Sequence, residues 1–84
     1  PRLHAIGFRK SGELVGINED CSLHVWPADG SPRANTIPLV EKKSYPYRQA
    51  MSADGRFAAA DMSRKVVVWD VSRDKPTEYL SREF

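Results

Sequence analysis

The sequence has a single cysteine, no long apolar run and almost no excess of charge, and each shortage excludes a class of function. Cys21 has no second thiol with which to form an internal disulfide or a cysteine-based zinc site. No apolar stretch approaches the roughly 20 residues that a membrane-spanning helix requires. The formal net charge of +2 is too small to indicate a nucleic-acid-binding protein. We therefore expect a cytoplasmic protein without a membrane span.

Groups that carry catalytic chemistry are equally scarce. The two histidines, His4 and His24, have no accompanying cluster of cysteines or carboxylates, whereas a metal site usually needs three or four convergent ligands. Ser11 and Ser52 lie beside glycine-containing turns, but neither has a nucleophile-elbow sequence or a partnered base. The sequence therefore predicts no catalytic residue, no metal site and no cofactor, and hence a protein that is not an enzyme.

An internal repeat with a period of 43 residues organises what is present. Gly12 and Gly55 are separated by this interval, and so are Trp26 and Trp69. Each of these two glycines lies in a turn that follows a short apolar run, and each tryptophan ends such a run. A period in this range indicates a repeat architecture in which neighbouring units share a core.

Four short strands are predicted in each of the two units, 1–42 and 43–84, because apolar runs rich in β-branched residues alternate with turn residues. The predicted strands are 4–8, 13–17, 22–26 and 35–40 in the first unit, and 47–52, 56–60, 65–69 and 77–80 in the second. The apolar run within 65–69 predicts a strand buried on both faces. No segment has helical spacing, so the predicted fold class is all-β.

Two segments of the second unit carry a resemblance to a known family. Residues 51–57, Met-Ser-Ala-Asp-Gly-Arg-Phe, form the predicted turn between its first and second strands. Residues 66–70, Val-Val-Val-Trp-Asp, end its third strand. In both features the chain resembles the WD-repeat β-propeller family, whose blades are four-stranded antiparallel units of roughly 40 to 45 residues. The resemblance covers nearly the whole chain and implies two tandem propeller blades.

The resemblance implies structural roles for five residues. Asp20, Ser22 and Trp26 match the Asp, Ser/Thr and Trp that form a side-chain hydrogen-bond network in such blades. Trp69 and Asp70 match the closing pair of the second blade. Neither unit has the Gly-His pair that precedes the first strand in the family, and the second unit lacks the Asp and Ser/Thr members. Both blades are therefore divergent.

A binding surface at one end of the blades is also implied by the resemblance. In propellers, the connection between blades and the turns between second and third strands open onto the face that binds partners. Tyrosine and arginine are enriched among residues that dominate binding energy. The candidate partner-binding residues are Asn18, Glu19, Lys43, Tyr45, Tyr47, Arg48 and Arg64. For the connection between the blades, residues 41–48, a solvated linker explains the sequence equally well.

These observations predict a non-catalytic scaffold that binds a peptide or protein partner across the loop face. Basic turn residues leave binding of nucleic acid or of an anionic lipid or phosphate as an alternative. A structural or sensor module of a larger signalling protein is another. Two blades alone would leave two apolar faces exposed. We therefore expect a homo-oligomer of three or four chains, which would close a ring, or further blades from a parent chain.

Overall fold

The computed structural model describes residues 3–41, 46, 48–62 and 64–83. The strands in this part of the chain are β1 (Leu3–Phe8), β2 (Leu14–Asn18), β3 (Ser22–Trp26), β4 (Asn35–Pro38), β5 (Gln49–Met51), β6 (Phe57–Met62), β7 (Lys65–Asp70) and β8 (Thr77–Glu83). They form two four-stranded antiparallel sheets, in the orders β1-β2-β3-β4 and β5-β6-β7-β8. The prediction of an all-β chain is confirmed for the described residues, among which no helix could span a bilayer.

Strand boundaries follow the predicted ones most closely in the centre of each sheet. β3 begins and ends where predicted. At the edges, β4 ends at Pro38 instead of residue 40, and proline cannot donate a hydrogen bond to a ladder. β8 continues to Glu83 instead of residue 80, because its polar end pairs with the start of β7, where Lys65 lies opposite Glu83. Backbone pairing therefore extends this edge strand beyond its apolar residues.

The core lies between the two sheets and is built from their central strands. Its members in these strands are Val15, Ile17, Leu23 and Val25 from the first sheet, and Ala58, Ala60, Val67 and Trp69 from the second. Burial alternates along β3 and β7, as expected for strands with one covered face. Val66 and Val68 are only half-buried. The prediction that residues 65–69 are buried on both faces is therefore wrong, because no described layer covers the far side of β7.

Two glycines allow the sheets to approach each other closely. A Cβ atom on Gly7 would lie 2.7 Å from the carbonyl oxygen of Ser52, and one on Gly55 would lie 2.9 Å from the backbone nitrogen of Arg9. Gly55 also has a φ of 67°, in the left-handed region that favours glycine. The repeated turn glycine of the second unit thus sets the spacing between the sheets as well as the shape of its own turn.

The 43-residue interval holds for the third strands but not for the second strands. Trp26 pairs with Leu14, whereas Trp69 pairs with Ala58, which is one residue beyond the position that the interval predicts. The displaced residue, Phe57, pairs with Asp70. The second strand of the second unit is therefore shifted by one residue, and a one-residue shift moves each side chain to the other face of a sheet.

Equivalent faces of the two sheets point in the same direction along the stack. Trp69 is 5% exposed and faces the first sheet, whereas its counterpart Trp26 is half-buried on the side of the first sheet that faces away from the core. The inward-facing Leu23 and Val25 correspond, by the same interval, to Val66 and Val68 of the second sheet. The two units are thus stacked head to tail and not back to back.

Candidate functional site

Strand direction divides the connections between two ends of the sheets. One end, here named the turn end, carries the β1–β2, β3–β4, β5–β6 and β7–β8 turns. The other, named the loop end, carries the β2–β3 and β6–β7 turns and the β4–β5 connection. Four of the seven predicted partner-binding residues, Asn18, Glu19, Arg48 and Arg64, lie at the loop end. Lys43, Tyr45 and Tyr47 lie outside the described residues, so the structure locates the other four.

Asn18 and Glu19, neighbours in the β2–β3 turn, occupy different environments. Asn18 is 5% exposed, and its Oδ1 accepts a hydrogen bond from the backbone nitrogen of Glu19 at 2.7 Å. Its carbonyl oxygen accepts a 2.6 Å bond from Nε2 of Gln49 in the other sheet. Glu19 is exposed. Asn18 therefore ties the sheets together at the loop end, and Glu19 presents its carboxylate to solvent.

Arg48 and Arg64 are both exposed at the loop end. Arg64 lies in the tight turn between β6 and β7 and has a φ of 64°. Arg48 borders a depression of about 290 Å³ on the outer face of the second sheet, lined by Arg48, Ala50, Ala59, Ala60, Asp61 and Val66. Among the described residues, no hydrogen bond or ion pair is formed by the side chains of Glu19, Arg48 or Arg64. Within the described part of the chain, their charged groups are therefore not engaged in intramolecular bonds.

The residues of the predicted blade network lie at both ends of β3. Oγ of Ser22 donates to Oδ1 of Asp20 at 2.5 Å, and the Ser22 backbone nitrogen donates to the same oxygen at 3.2 Å. Trp26 lies at the opposite end of the strand, where its ring stacks on His24 with the ring centroids 5.9 Å apart. The structure thus brings Asp20 and Ser22 together and places Trp26 in a separate aromatic pair.

Arg9, which the sequence analysis did not single out, is the most heavily bonded side chain at the turn end. Its Nε donates to the carbonyl oxygen of Val71 at 3.1 Å, its Nη2 donates to the same oxygen, and Nη2 also reaches the Arg73 carbonyl at 3.3 Å. Its Nη1 forms a 3.1 Å ion pair with Glu13. The side chain is only 5% exposed. Arg9 therefore links the first sheet to the end of β7.

Carboxylates at the turn end are held in their ionised form by local hydrogen bonds. The pKa of Glu13 is lowered by its bond from Arg9 and then by that from Ser11. The pKa of Asp70 is lowered mainly by Ser72, whose Oγ and backbone nitrogen donate at 2.6 and 3.0 Å. These groups hold turns together, which also accounts for the predicted structural role of Asp70.

Asp54 behaves in the same way in the β5–β6 turn. Oγ of Ser52 donates to its carboxylate at 2.6 Å, and this bond lowers the pKa of Asp54.

The turn end also contains a cleft of about 520 Å³. Its lining residues are Arg9, Lys10, Ser11, Glu13, Asp54, Arg56, Ser72 and Asp74. Both cations and carboxylates line it, and most of the carboxylates already have partners within the fold.

Cys21 is the one thiol of the chain and lies in the core. Burial, together with the negative charge of Asp20, raises its pKa to about 11. Among the described residues, no group of three or more His, Cys, Asp and Glu side chains converges as a metal site would require.

No protein-family model matches the chain, and no curated protein is found to be similar to it.

Proposed function

We propose that the chain is a pair of WD-repeat-like β-propeller blades that acts as a non-catalytic scaffold, binding a peptide or protein partner at the loop end. Two stacked four-stranded antiparallel sheets support the blade assignment. The bond between Ser22 and Asp20, in the turn where the resemblance implies it, supports it further. The head-to-tail order of the two units, marked by the opposite environments of Trp26 and Trp69, is the order that repeat stacking requires.

The observation that carries the choice of surface is the contrast between the two ends. At the turn end, the carboxylates of Glu13, Asp54 and Asp70 and the buried Arg9 are bonded within the fold, whereas Lys10, Arg33 and Lys75 are exposed without such bonds in the described part of the chain. At the loop end, the charged groups of Glu19, Arg48 and Arg64 are exposed and unbonded within the described part of the chain. A partner that presents charges of both signs gains more at the loop end, because at the turn end its cations would have to displace the intramolecular bonds of most carboxylates.

The electrostatics support a non-catalytic role. A general acid at neutral pH needs a carboxyl pKa raised towards 7. The pKa values of Glu13, Asp54 and Asp70 are instead lowered by hydrogen bonds that favour the ionised form. A thiol nucleophile needs a lowered pKa, whereas that of Cys21 is raised by burial. The hydrogen bonds and the burial that shift these pKa values are thus features that stabilise the fold.

The test is selection of a displayed library of random peptides on the immobilised chain, followed by titration of an enriched peptide. Arg64→Glu reverses a charge at the loop end, and Arg33→Glu makes the same change at an exposed residue of the turn end. We expect Arg64→Glu to weaken binding about tenfold or more, as the loss of an interface arginine can, and Arg33→Glu to leave it unchanged.

Three results would count against the proposal: enrichment of no peptide, equal weakening by both variants, or weakening by Arg33→Glu alone. Titration with a single-stranded oligonucleotide at several salt concentrations addresses the alternative. Affinity that falls steeply with salt and is lost in Arg64→Glu would favour nucleic-acid binding through the basic turns.

A further inference from the structure

The outer face of the first sheet exposes an apolar surface that the chain itself leaves uncovered. Ile6 is 56% and Phe8 59% exposed, large fractions for residues within a strand. Both lie on the face of the sheet that points away from the core, because they pair with Gly16 and Leu14 of β2. Trp26, which pairs with Leu14 from the other side, completes this surface. Contiguous exposed apolar side chains of this kind mark interaction surfaces.

The outer face of the second sheet is apolar as well, but its side chains are small near Arg48, whereas Phe57 and Leu80 lie elsewhere on the same face. Ala50 pairs with Ala59, which pairs in turn with Val68, so the three form a row across the sheet. Ala50 and Ala59, together with Val66, line the depression of about 290 Å³ at Arg48. One outer face therefore presents large side chains, and the other presents a hollow between small ones.

The interface inside the chain shows which surfaces of this kind fit together. There, the second sheet contributes the face that contains Trp69, and the first sheet contributes the face that contains Leu23 and Val25. The uncovered face of the first sheet contains Trp26, the counterpart of Trp69. The uncovered face of the second sheet contains Val66 and Val68, the counterparts of Leu23 and Val25. Each uncovered face thus matches one half of an interface that the chain already forms.

Each uncovered face also carries a polar side chain. His24 lies on the outer face beside Trp26, and its Nε2 is buried but has no hydrogen-bond partner among the described residues. Buried polar atoms are nearly always hydrogen-bonded in stable assemblies. Asp61 lines the depression on the other outer face and offers a carboxylate acceptor there.

From this we propose that a second copy of the chain docks here, with the Ile6, Phe8 and Trp26 face of one copy seated on the Ala50, Ala59 and Val66 face of the next. This surface borders the loop end at Arg48, but its test measures the mass of the assembly and not the binding of a peptide, so the failure of one proposal is distinguishable from the failure of the other. Because the two faces differ, the contact is heterologous, and repeating it closes a ring or extends a stack. Assembly would also set several loop ends side by side, so that a partner with repeated motifs would bind multivalently.

The experiment uses two variants of the full chain, each of which blocks one face. Phe8→Glu places a charge on the large-residue face, and Ala50→Arg fills the hollow of the other. The matched controls are Lys10→Glu and Ala53→Arg, which introduce the same side chains at exposed turn positions a few residues away. Mass is measured by light scattering coupled to size-exclusion chromatography over a range of concentrations. Circular dichroism establishes that each variant is folded, and Ile6→Lys replaces Phe8→Glu if the latter is not.

We expect the wild type and both controls to form species of two or more copies at high concentration, and each blocking variant alone to remain at the 9.5 kDa of one chain. An equimolar mixture of the two blocking variants should give the mass of two chains and nothing larger, because each supplies the face that the other has lost. A folded wild type that stays monomeric would overturn the proposal. That is the result expected if the uncovered faces bind blades of another chain instead. Self-association of either blocking variant would overturn the head-to-tail arrangement.

Discussion

Replacement of Arg9 by methionine should destabilise the fold strongly, although Arg9 is a charged residue in a turn. Methionine keeps most of the apolar stem of arginine but none of its donors. The substitution leaves the carbonyl oxygen of Val71 without its two guanidinium bonds and removes the ion-pair partner of Glu13. The structural consequence is the loss of one of the two side-chain ties between the sheets.

The size of the effect can be worked out from these contacts. A hydrogen bond to a charged group contributes about 1.5 to 3 kcal/mol, and the Val71 oxygen accepts from a guanidinium that is almost fully buried. The ion pair with Glu13 adds less than about 1 kcal/mol, because Glu13 is 31% exposed and water can replace its partner. Relief from burying the charge offsets part of the sum. We therefore expect a loss of about 2 to 3 kcal/mol, out of the roughly 4 to 13 kcal/mol typical of a domain of this size.

Urea unfolding followed by tryptophan fluorescence measures this loss, because Trp69 is buried in the folded chain. With an m value of about 1 kcal/mol/M, the midpoint should fall by roughly 2 to 3 M while m stays constant. Arg56→Met is the control, since the Arg56 side chain is 56% exposed and lies 3.7 Å from Asp70, which predicts a loss below about 0.5 kcal/mol. Equal midpoints for Arg9→Met and the wild type would refute the assignment of Arg9 as a tie between the sheets.

Three further predictions follow from the same structure. Gly7→Ala should destabilise the fold by about 2 kcal/mol or more, because its Cβ would meet the Ser52 carbonyl at 2.7 Å. Gly30→Ala, whose Cβ would have nothing within 4 Å, should destabilise it by only about 1 kcal/mol, because of the left-handed backbone there. Comparable losses for the two variants in urea unfolding would contradict this. At pH 8 the folded chain should react with Ellman's reagent at least about a hundredfold more slowly than the unfolded chain, since a pKa of about 11 leaves little Cys21 thiolate; equal rates would rule out its burial. The pKa values of Glu13 and Asp70 are lowered in the folded state, so their contribution to stability is complete above the ordinary carboxyl range and is lost as pH falls through the lowered values. The urea midpoint should therefore drop in acid, and it should drop less in Asp70→Asn. Identical acid profiles for the two proteins would count against this.

The all-β fold could be predicted from the sequence because its signals are local. Alternating apolar residues mark β3, a β-branched run marks β7, and glycine and aspartate mark the turns. The shift of β6 could not be predicted, because it depends on how two similar turns close. In the first unit, the backbone nitrogen of Arg9 bonds to the carbonyl of Glu13. In the second, Oγ of Ser52 accepts from the nitrogen of Phe57 at 2.9 Å, and this extra acceptor allows a turn that is one residue longer.

In the candidate site, only the features that depend on a residue and its neighbours in sequence could be predicted. Exposure of Glu19, Arg48 and Arg64 agrees with the polar turn pattern around them. Burial of Asn18 depends on Gln49, which is distant in sequence and reaches it from the other sheet. Arg9 follows an apolar strand and precedes Lys10, a pattern typical of a solvated turn. Nothing local indicates that its acceptor is a carbonyl 62 residues further along the chain.

The two ties between the sheets also determine how a contact between copies would differ from the contact within one. At the 43-residue interval, Arg9 corresponds to Ser52, whose short side chain cannot reach across as the guanidinium does. Gln49 corresponds to Ile6, which has no donor. A contact between copies therefore keeps the apolar part of the internal interface and lacks both polar ties. Its strength should depend on buried apolar area and little on salt, and blocking it should leave each chain folded, since the side chains of Arg9 and Gln49 that tie the two sheets together take no part in it.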